Sequence, residues 1–353
     1  MNHSYRDLVI LGGGLTGLTL AYRLRDSGYS ITVLEAQERL GGRIYTLYPE
    51  QGPPVEMGAT WLGQKHSALW SLLEELGLPV FEQRRDEGVI FEAGPNEPLQ
   101  QLRLPPEDAP TYRIAGGSSI LIKALAEKLR GTEIHLQRPV SGLQQTLDGI
   151  VVSTAGGPIT AGVVVSTLPP DLLLRTVCFD PALPPELVNL AQRTDTWMGK
   201  SIKVALTYPE PFWRRNGHSA TFFSNAGPVT ELYDHGDAED KGYALKGFLD
   251  PTFLRLDRQQ RREKVLGQLT RYYGPNIRNY LAYYDMPWAE ETYTTASTAA
   301  DLLPHQLQGH PLYHQARWGG RLYLAGTETA EQYPGYMEGA VRSAEALVRA
   351  IAQ

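Results

Sequence analysis

The first sixty residues alternate short apolar runs with glycine turns. Residues 7–11 form an apolar run that is typical of a buried strand. After the glycines that follow, apolar side chains recur at helical spacing from Leu15 until Gly28 ends the pattern. Residues 31–34 form a second apolar run, which Glu35 closes. The pattern therefore predicts a strand, a helix and a second strand in close succession.

Three more patterns predict structure farther along the chain. Residues 322–325 have the apolar pattern of a buried strand, and residues 337–350 that of a helix with one apolar face. Asp257 and Gln260 have the spacing of a capping box, which marks the start of a helix. Residues 91–110 contain much proline and glycine and show little periodicity, so we expect a loop there.

The glycines after the first strand have the spacing of a dinucleotide-binding turn, Gly-Gly-Gly-Leu-Thr-Gly at residues 12–17. Gly12 permits a tight turn, Gly14 lets a diphosphate approach the backbone, and Gly17 lets the helix pack closely on the strands. The helix N-terminus offers unpaired N–H groups and a partial positive charge to the diphosphate. Glu35 can accept hydrogen bonds from the adenosine ribose, and its charge argues against NADP. A purely structural glycine turn is the alternative interpretation.

A pair of glycines, Gly41 and Gly42, precedes Arg43. The pair begins ten residues after the start of the predicted second strand. An arginine can grip a phosphate through two parallel hydrogen bonds. Taken alone, the segment is more typical of a glycine turn with a solvated arginine. Close to the first turn, it favours a second contribution to a phosphate site.

Composition narrows the class of protein. The chain has 353 residues, a 42% hydrophobic share and a formal net charge of −6. The length favours two domains, and the lack of a basic excess argues against a nucleic-acid partner. Cys178 is the single cysteine and the histidines lack ligand spacing, so we expect no disulfide and no metal site. The first apolar run is too short for a signal peptide or a membrane span, so we expect a cytoplasmic protein.

Taken together, these motifs resemble those of the flavin-containing amine oxidases, the family of the monoamine and polyamine oxidases. The resemblance extends over most of the chain. It is carried by residues 40–43 (a second FAD motif), 57–63 (beside the flavin ring), 115–119 (a helix start), 139–140 (a strand that meets the adenine), 163–170 (a strand ending in a double proline), 198–204 with 210–213 (a lysine-bearing strand), 288–293 (before the flavin), and 322–330 with 335–341 (the C-terminal FAD signature).

The resemblance implies an FAD site built from both ends of the chain. The residues implied to bind the cofactor are Gly12, Gly14, Leu15, Thr16, Gly17, Glu35, Gly42, Arg43, Gly58, Ala59, Thr60, Trp61, Val140, Gly326, Glu328, Tyr336 and Met337. The N-terminus of the last helix is expected to point at the flavin and to stabilise its anionic reduced form.

Two residues are candidates for catalysis. Alternation along its strand places Lys203 on the face opposite Ile202 and Val204, which alone predicts a solvated lysine. The resemblance instead implies a lysine that holds a water at flavin N5 and assists reoxidation by oxygen. It also implies that Tyr336 is one ring of an aromatic pair that contacts the amine, whereas packing of the last helix is the structural alternative.

The sequence also departs from the family pattern. In an alignment without gaps from Trp288, the position of the cysteine that carries covalent flavin in monoamine oxidases is Ser297, so we expect non-covalent FAD. The position of the first cage tyrosine is Thr298, and Trp61 or Tyr293 is a candidate replacement. The insert between Leu62 and Ala115 is short, so the helices that cover the substrate cavity in relatives are expected to be reduced.

The expected fold is α/β, with a Rossmann-type FAD domain interleaved with a smaller α+β substrate domain. The FAD domain is assigned residues 1–70, 113–195 and 289–353, and the substrate domain residues 71–112 and 196–288. The expected function is an FAD-dependent oxidoreductase that transfers a hydride equivalent from a small amine to flavin N5, with oxygen or another acceptor. The alternatives are a flavin desaturase, dehydrogenase or isomerase acting on a carbon–carbon bond, and a partner-dependent FAD-binding protein.

Overall fold

The computed structural model describes residues 5–103, 109–215, 218–295 and 302–351. Its first elements are the strand Tyr5–Leu11, the helix Leu15–Leu24 and the strand Ile31–Leu34, which confirms the predicted order. Gly17 has no room for a side chain, because a Cβ there would lie 2.1 Å from the carbonyl oxygen of Gly12. The glycine therefore allows the helix to start directly against the end of the first strand.

The larger sheet is mainly parallel at its centre and has eight strands within the described ranges. In spatial order these are Glu133–His135, Ile31–Leu34, Tyr5–Leu11, Ile159–Ser166, Ile150–Thr154, Val140–Gln145 and Cys178–Asp180, with Leu322–Leu324 paired to Ile159–Ser166. The first strand is apolar throughout its second half because both faces of the sheet are covered. Leu8 and Ile10 belong to the core on one face, and Val9 and Leu11 to the core on the other.

Helices cover the two faces of this sheet. One face carries Leu15–Leu24, Ser67–Glu75, Ser119–Lys128 and Met337–Ile351, and the other carries Pro170–Thr176 and Pro185–Gln192. The last helix packs against the first, and its residues Val341 and Ala344 are both fully buried. The two ends of the chain therefore form one layer beside the glycine turn.

The second sheet is mostly antiparallel. Its strands, in spatial order, are Ala282–Pro287, Ile202–Tyr208, Tyr243–Leu249, Val229–Asp234, Phe222–Ser224, Gly88–Glu92 and Gln100–Arg103. The helix Arg258–Tyr273 packs on one face of it. The predicted capping box at the start of this helix is confirmed, because Asp257 and Gln260 each bond the other's backbone N–H.

Shorter elements lie between the strands and helices of the two sheets. Small strands occupy Thr46–Leu47 with Val55–Glu56, and Leu62–Gly63 with Thr111–Ile114 and Val80–Glu82. Single helical turns occupy Phe212–Arg214, Pro251–Arg255, Gly274–Arg278, Trp288–Glu290, Pro311–His314 and Thr327–Thr329. No helix in the described ranges combines the length and the apolarity that crossing a bilayer requires.

The loop predicted for residues 91–110 is wrong in part. Gly88–Glu92 and Gln100–Arg103 pair as antiparallel strands. All four residues of Gln100–Arg103 are exposed, so this edge strand carries no apolar alternation from which it could be predicted. Residues 104–108 lie outside the described ranges.

The strands of each sheet follow the segments assigned to each domain. Those of the larger sheet fall within residues 1–70, 113–195 and 289–353, and those of the second sheet within residues 71–112 and 196–288. The helix Ser67–Glu75, which crosses the boundary at residue 70, packs with the core of the larger sheet. The fold is thus α/β with a Rossmann-type sheet, and the division into two domains at these boundaries stays a prediction.

Candidate active site

A cavity of about 300 Å³ extends between the two sheets, from the first glycine turn to the start of the last helix. Most residues predicted to bind the cofactor line this cavity: Gly12, Gly14, Leu15, Thr16, Glu35, Gly42, Arg43, Ala59, Thr60, Trp61, Val140, Tyr336 and Met337. Lys203 lines it as well. Both ends of the sequence therefore contribute to one site.

The glycine turn leaves its backbone open to the cavity at one position. A Cβ on Gly14 would have a single neighbour within 4 Å, the carbonyl oxygen of Gly41 at 4.0 Å. Gly14 is the N-cap of the first helix, and no side chain caps that helix end. A Cβ on Gly12, by contrast, would lie 2.6 Å from Thr167 Oγ1. An open backbone at an uncapped helix N-terminus fits a diphosphate group.

The remaining predicted residues support the walls of the cavity. Gly17 packs against the turn, and a Cβ on Gly58 would lie 2.2 Å from the carbonyl oxygen of Arg43. The Gly326 N–H donates to Ser343 Oγ at 3.0 Å, next to the last helix. Gly17 and Gly58 keep neighbouring segments close together, and none of the three glycines is among the described residues that line the cavity.

Glu35 is buried at the end of the second strand and faces the turn. Its Oε2 accepts the Gly13 N–H at 2.7 Å, and its Oε1 accepts the Gln37 N–H at 2.8 Å. Each carboxylate oxygen has a further lone pair for a ligand in the cavity. A hydrogen bond from Glu35 to a ribose stays a prediction.

Arg43 forms an ion pair with Glu328, with Nη1 and Oε1 2.6 Å apart. The same guanidinium donates to the carbonyl oxygen of Trp197 at 3.1 Å. Glu328 is 1% exposed, so the arginine provides the positive charge that a buried carboxylate requires. A phosphate contact of Arg43 stays a prediction.

Lys203 is buried, so the solvated lysine that strand alternation alone predicts is wrong. Only 1% of the residue is exposed, because Val55 and Met57 pack on this face of its strand against Ala205. Lys203 Nζ donates to the carbonyl oxygen of Gly58. Burial lowers the pKa of Lys203 to about 8. The cavity therefore has an amine that changes charge near neutral pH.

The sequence matches the family model described as flavin containing amine oxidoreductase, over residues 15–107 and 97–352. This match covers nearly the whole chain.

The protein belongs to the flavin-containing amine oxidoreductase family.

Relatives agree with this assignment. A Dictyostelium discoideum protein named "Probable flavin-containing monoamine oxidase A" is 26% identical over 440 aligned residues, which cover 96% of this chain and 95% of that protein. The flavin-containing amine oxidase B of Homo sapiens is 26% identical, with 98% and 86% covered. The resemblance noted in the sequence is thereby confirmed, as is the assignment to flavin-dependent oxidoreductases with amine oxidase-like activity.

Solved structures share the fold. Wild-type putrescine oxidase bound to putrescine superposes with a TM-score of 0.84 at 23% identity, with 99% of each chain covered. Cyclohexylamine oxidase from Brevibacterium oxydans IH-35A superposes with a TM-score of 0.85 at 19% identity, with 98% of each chain covered. The α/β architecture with a Rossmann-type sheet is therefore common to this amine oxidoreductase and to both enzymes.

Trp61 and Phe248 form the aromatic wall of the cavity next to Lys203. Lys203 Nζ lies 5.1 Å from the ring centroid of Phe248 and 6.0 Å from that of Trp61. Trp61 is fixed by a 3.2 Å hydrogen bond from its Nε1 to Gln83 and by edge contact with Tyr233. The sequence did not indicate Phe248, because its strand carries no motif and its pairing with Lys203 exists only in the folded sheet.

Tyr336 also lines the cavity and is 43% exposed. Its ring stacks on His305 with 5.7 Å between centroids, and His305 stacks in turn on Trp197 at 4.5 Å. Trp197, which also lines the cavity, was not predicted. This amine oxidoreductase therefore presents a half-exposed tyrosine whose ring is held by a histidine.

Some sequence expectations fall outside the structure that is described. Ser297 and Thr298, the positions of the flavin-linking cysteine and the first cage tyrosine, lie in the undescribed residues 296–301. Tyr293, the second candidate for a replacement ring, lines the cavity. Within the described ranges, no cluster of three or more histidine, cysteine, aspartate or glutamate side chains is arranged to hold a metal ion.

Proposed function

We propose that this amine oxidoreductase binds FAD non-covalently in the cavity and oxidises a small amine, with molecular oxygen as electron acceptor. The observation that carries the proposal is the single cavity that joins the uncapped helix N-terminus at Gly14 to the buried amine of Lys203. An FAD site needs a diphosphate-binding turn and a ring-binding wall on the same cavity, and the glycine turn and aromatic wall that line this cavity support that assignment.

The proposed roles of the residues run along the cavity, from the first glycine turn to the start of the last helix. Gly14 and the first helix would hold the diphosphate, and Glu35 would accept hydrogen bonds from the ribose. The last helix begins at Met337 in the cavity wall, where its N-terminal dipole favours negative charge. When bound, FAD supplies the acceptor for the hydride equivalent.

Lys203 would hold a water molecule in the cavity and assist reoxidation by oxygen. Its burial beside Trp61 excludes bulk solvent, and its pKa of about 8 lets it accept or release a proton near that pH. Trp61, Phe248 and Tyr336 would provide aromatic faces, which attract the nitrogen of an amine.

Non-covalent binding is supported by the position of the single cysteine. Cys178 is exposed and lies on the edge strand Cys178–Asp180 of the larger sheet. It is not among the described residues that line the cavity. A thioether link to the flavin therefore has no candidate thiol in this wall. A cytoplasmic location stays a prediction.

The choice of an amine substrate is supported by the relatives. Their names specify monoamine, putrescine and cyclohexylamine oxidases, so each name specifies an amine. The aromatic side chains of the cavity suit such substrates better than a charged acid. We therefore propose a small amine as the substrate.

One experiment tests cofactor and reaction together. Purified protein is precipitated with acid, and flavin is measured in the supernatant and the pellet. We expect FAD in the supernatant, since the binding is non-covalent. The intact protein is then mixed anaerobically with a panel of primary amines that includes putrescine and cyclohexylamine, with dithionite as the control reductant.

The expected result is bleaching of the flavin by at least one amine and oxygen consumption once air is admitted. Flavin that stays in the pellet would contradict non-covalent binding. Reduction by dithionite but by no amine would contradict the proposed substrate class. Reduction by amine without oxygen consumption would contradict oxygen as the acceptor.

A further inference from the structure

A second lysine lies directly behind the wall of the cavity. Lys246 is on the strand next to that of Lys203 and pairs in register with Ala205, two residues along, so both lysines lie on the same face of the sheet. Lys246 is fully buried, and its Nζ lies 4.2 Å from the ring centroid of Trp61. It does not itself line the cavity.

The two amines meet at the hydroxyl of Thr60. Lys246 Nζ donates to Thr60 Oγ1, and Lys203 Nζ lies 3.4 Å from the same oxygen. Thr60 Oγ1 in turn donates to the carbonyl oxygen of Gly58 at 3.1 Å. A hydroxyl has one proton and two lone pairs, so Thr60 donates one hydrogen bond and accepts two, which is the largest number that it can make.

Few negative charges face this pair. The buried carboxylate of Glu56, on the strand Val55–Glu56, attracts both amines, and it accepts hydrogen bonds from the Ser118 N–H and Thr46 Oγ1. The other charged or titratable groups that act on the pair are Arg113, on the strand Thr111–Ile114, and His235, which follows the strand Val229–Asp234.

These neighbours disfavour two buried ammonium ions side by side. Arg113 and His235 are in contact, with Nη1 and Nδ1 3.0 Å apart, and burial together with Arg113 holds the pKa of His235 well below its ordinary value. Burial and the repulsion of Lys203 also hold the pKa of Lys246 well below its ordinary value. A buried charge without a partner is costly, and the attraction of Glu56 is divided among several cations.

We propose that Lys246 is a positioning residue for Lys203: the two amines share one proton through their contact at Thr60, and Lys246 fixes both Lys203 and the Trp61 ring in the cavity wall. The inference rests on the proposed role of Lys203 as the amine at the reaction site. With Lys246 neutral, the Thr60 hydroxyl turns from Gly58 and donates to Lys246 Nζ, while its oxygen accepts from the charged Lys203 and so stabilises the protonated form of Lys203.

The test is an NMR titration of the flavin-loaded protein labelled in its lysine side chains. Lys203→Met and Lys246→Met assign the two signals, and Lys241→Met is the matched control, because Lys241 is an exposed lysine shortly before the same strand. In the wild type we expect Lys203 to titrate near pH 8 and Lys246 to stay neutral to the lowest pH at which the fold persists.

The Lys246→Met variant should shift the titration midpoint of Lys203 downward, because the neutral amine that orients the Thr60 oxygen toward Lys203 is gone, while Lys241→Met should leave it in place. A purely structural lysine would change the unfolding free energy without moving this midpoint, and an unmoved midpoint would overturn the proposal. If Lys246→Met does not fold, the wild-type titration decides, since two amines that both titrate near their ordinary range would overturn it equally.

The flavin reoxidation rate, measured against pH, separates this inference from the proposed function. In the wild type and in Lys246→Met, the inflection of that profile should follow the NMR midpoint of Lys203. A rate profile without an inflection would contradict the proposed role of Lys203 in reoxidation. If the Lys203 midpoint still shifts downward in Lys246→Met, the sharing of one proton by the two lysines would nevertheless be supported.

Discussion

Arg43 and Glu328 are 285 positions apart in the sequence and form an ion pair that joins the N-terminal and C-terminal motifs of the site. Glu328 is buried, whereas Arg43 is partly accessible from the cavity. The pair therefore links the second glycine turn to the segment around Gly326 that follows the strand Leu322–Leu324. Each motif is recognisable alone, but neither indicates that its charged residue is balanced by the other.

Arg43→Met should lower the free energy of unfolding by about 3 kcal/mol, because it leaves the buried Glu328 carboxylate without its partner. Urea unfolding of the flavin-saturated protein measures the loss. The double variant Arg43→Met with Glu328→Met should recover part of it, since no unpaired charge remains. Losses that simply add in the double variant would show that the two side chains are not coupled.

Gly14→Ala and Gly17→Ala should separate cofactor binding from folding. Gly14 has extended backbone geometry and space for a methyl group, so its variant should fold normally but retain roughly ten-fold less flavin, because the methyl group occupies the place of a diphosphate. Gly17→Ala should cost about 2 kcal/mol of stability through collision with the Gly12 carbonyl oxygen. Urea midpoints and flavin-to-protein absorbance ratios measure both effects; normal flavin content in Gly14→Ala would rule out the proposed diphosphate position.

Glu35→Ala should weaken flavin retention on dilution by about ten-fold or more, since hydrogen bonds to a charged group contribute about 1.5–3 kcal/mol. The control is Glu38→Ala, which removes an exposed acid three residues away. Retention is measured by gel filtration at falling protein concentration. Equal retention in the two variants would show that the Glu35 carboxylate makes no useful contact with the cofactor.

Lys203→Met should slow reoxidation of the reduced flavin by oxygen and leave the flavin bound. The methionine side chain fills a similar volume between Trp61 and Phe248 but cannot hold a water molecule or carry charge. Stopped-flow mixing of photoreduced protein with oxygenated buffer gives the rate. A rate equal to that of the wild type would defeat the assignment of Lys203.

The same variant predicts a pH dependence of stability. The pKa of Lys203 is lowered from 10.5 to about 8 in the folded protein, so between these values the unfolded chain binds more protons than the folded one. Stability of the wild type relative to Lys203→Met should therefore be greatest above pH 10.5. It should fall by up to about 3 kcal/mol as the pH drops to 8, and then stay level. Urea unfolding across this range measures the difference, and a constant difference would show that the lysine keeps its ordinary pKa.

The sequence alone determined the elements whose geometry is local. The glycine spacing at residues 12–17 and the apolar run Ile31–Leu34 predicted the strand, helix and strand that the structure shows. The prediction was possible because a glycine turn and a strand that is buried on both faces each leave their pattern within a few consecutive residues. The capping box of Asp257 and Gln260 is equally local. The family itself was recognisable because each of its motifs is a short run of neighbouring residues, such as residues 40–43 and 322–330.

Only the tertiary structure decided which polar side chains are buried and with what partner. Alternation placed Lys203 on the strand face opposite Ile202 and Val204 and predicted that this face is solvated. In the structure Val55 and Met57, which are far away in the sequence, cover that face. Lys246 carries no motif, and its contact with Thr60 exists because three separate segments meet behind the cavity. Hydrophobic periodicity reports the orientation of a side chain within its own element, whereas burial and charge balance depend on the element that packs against it.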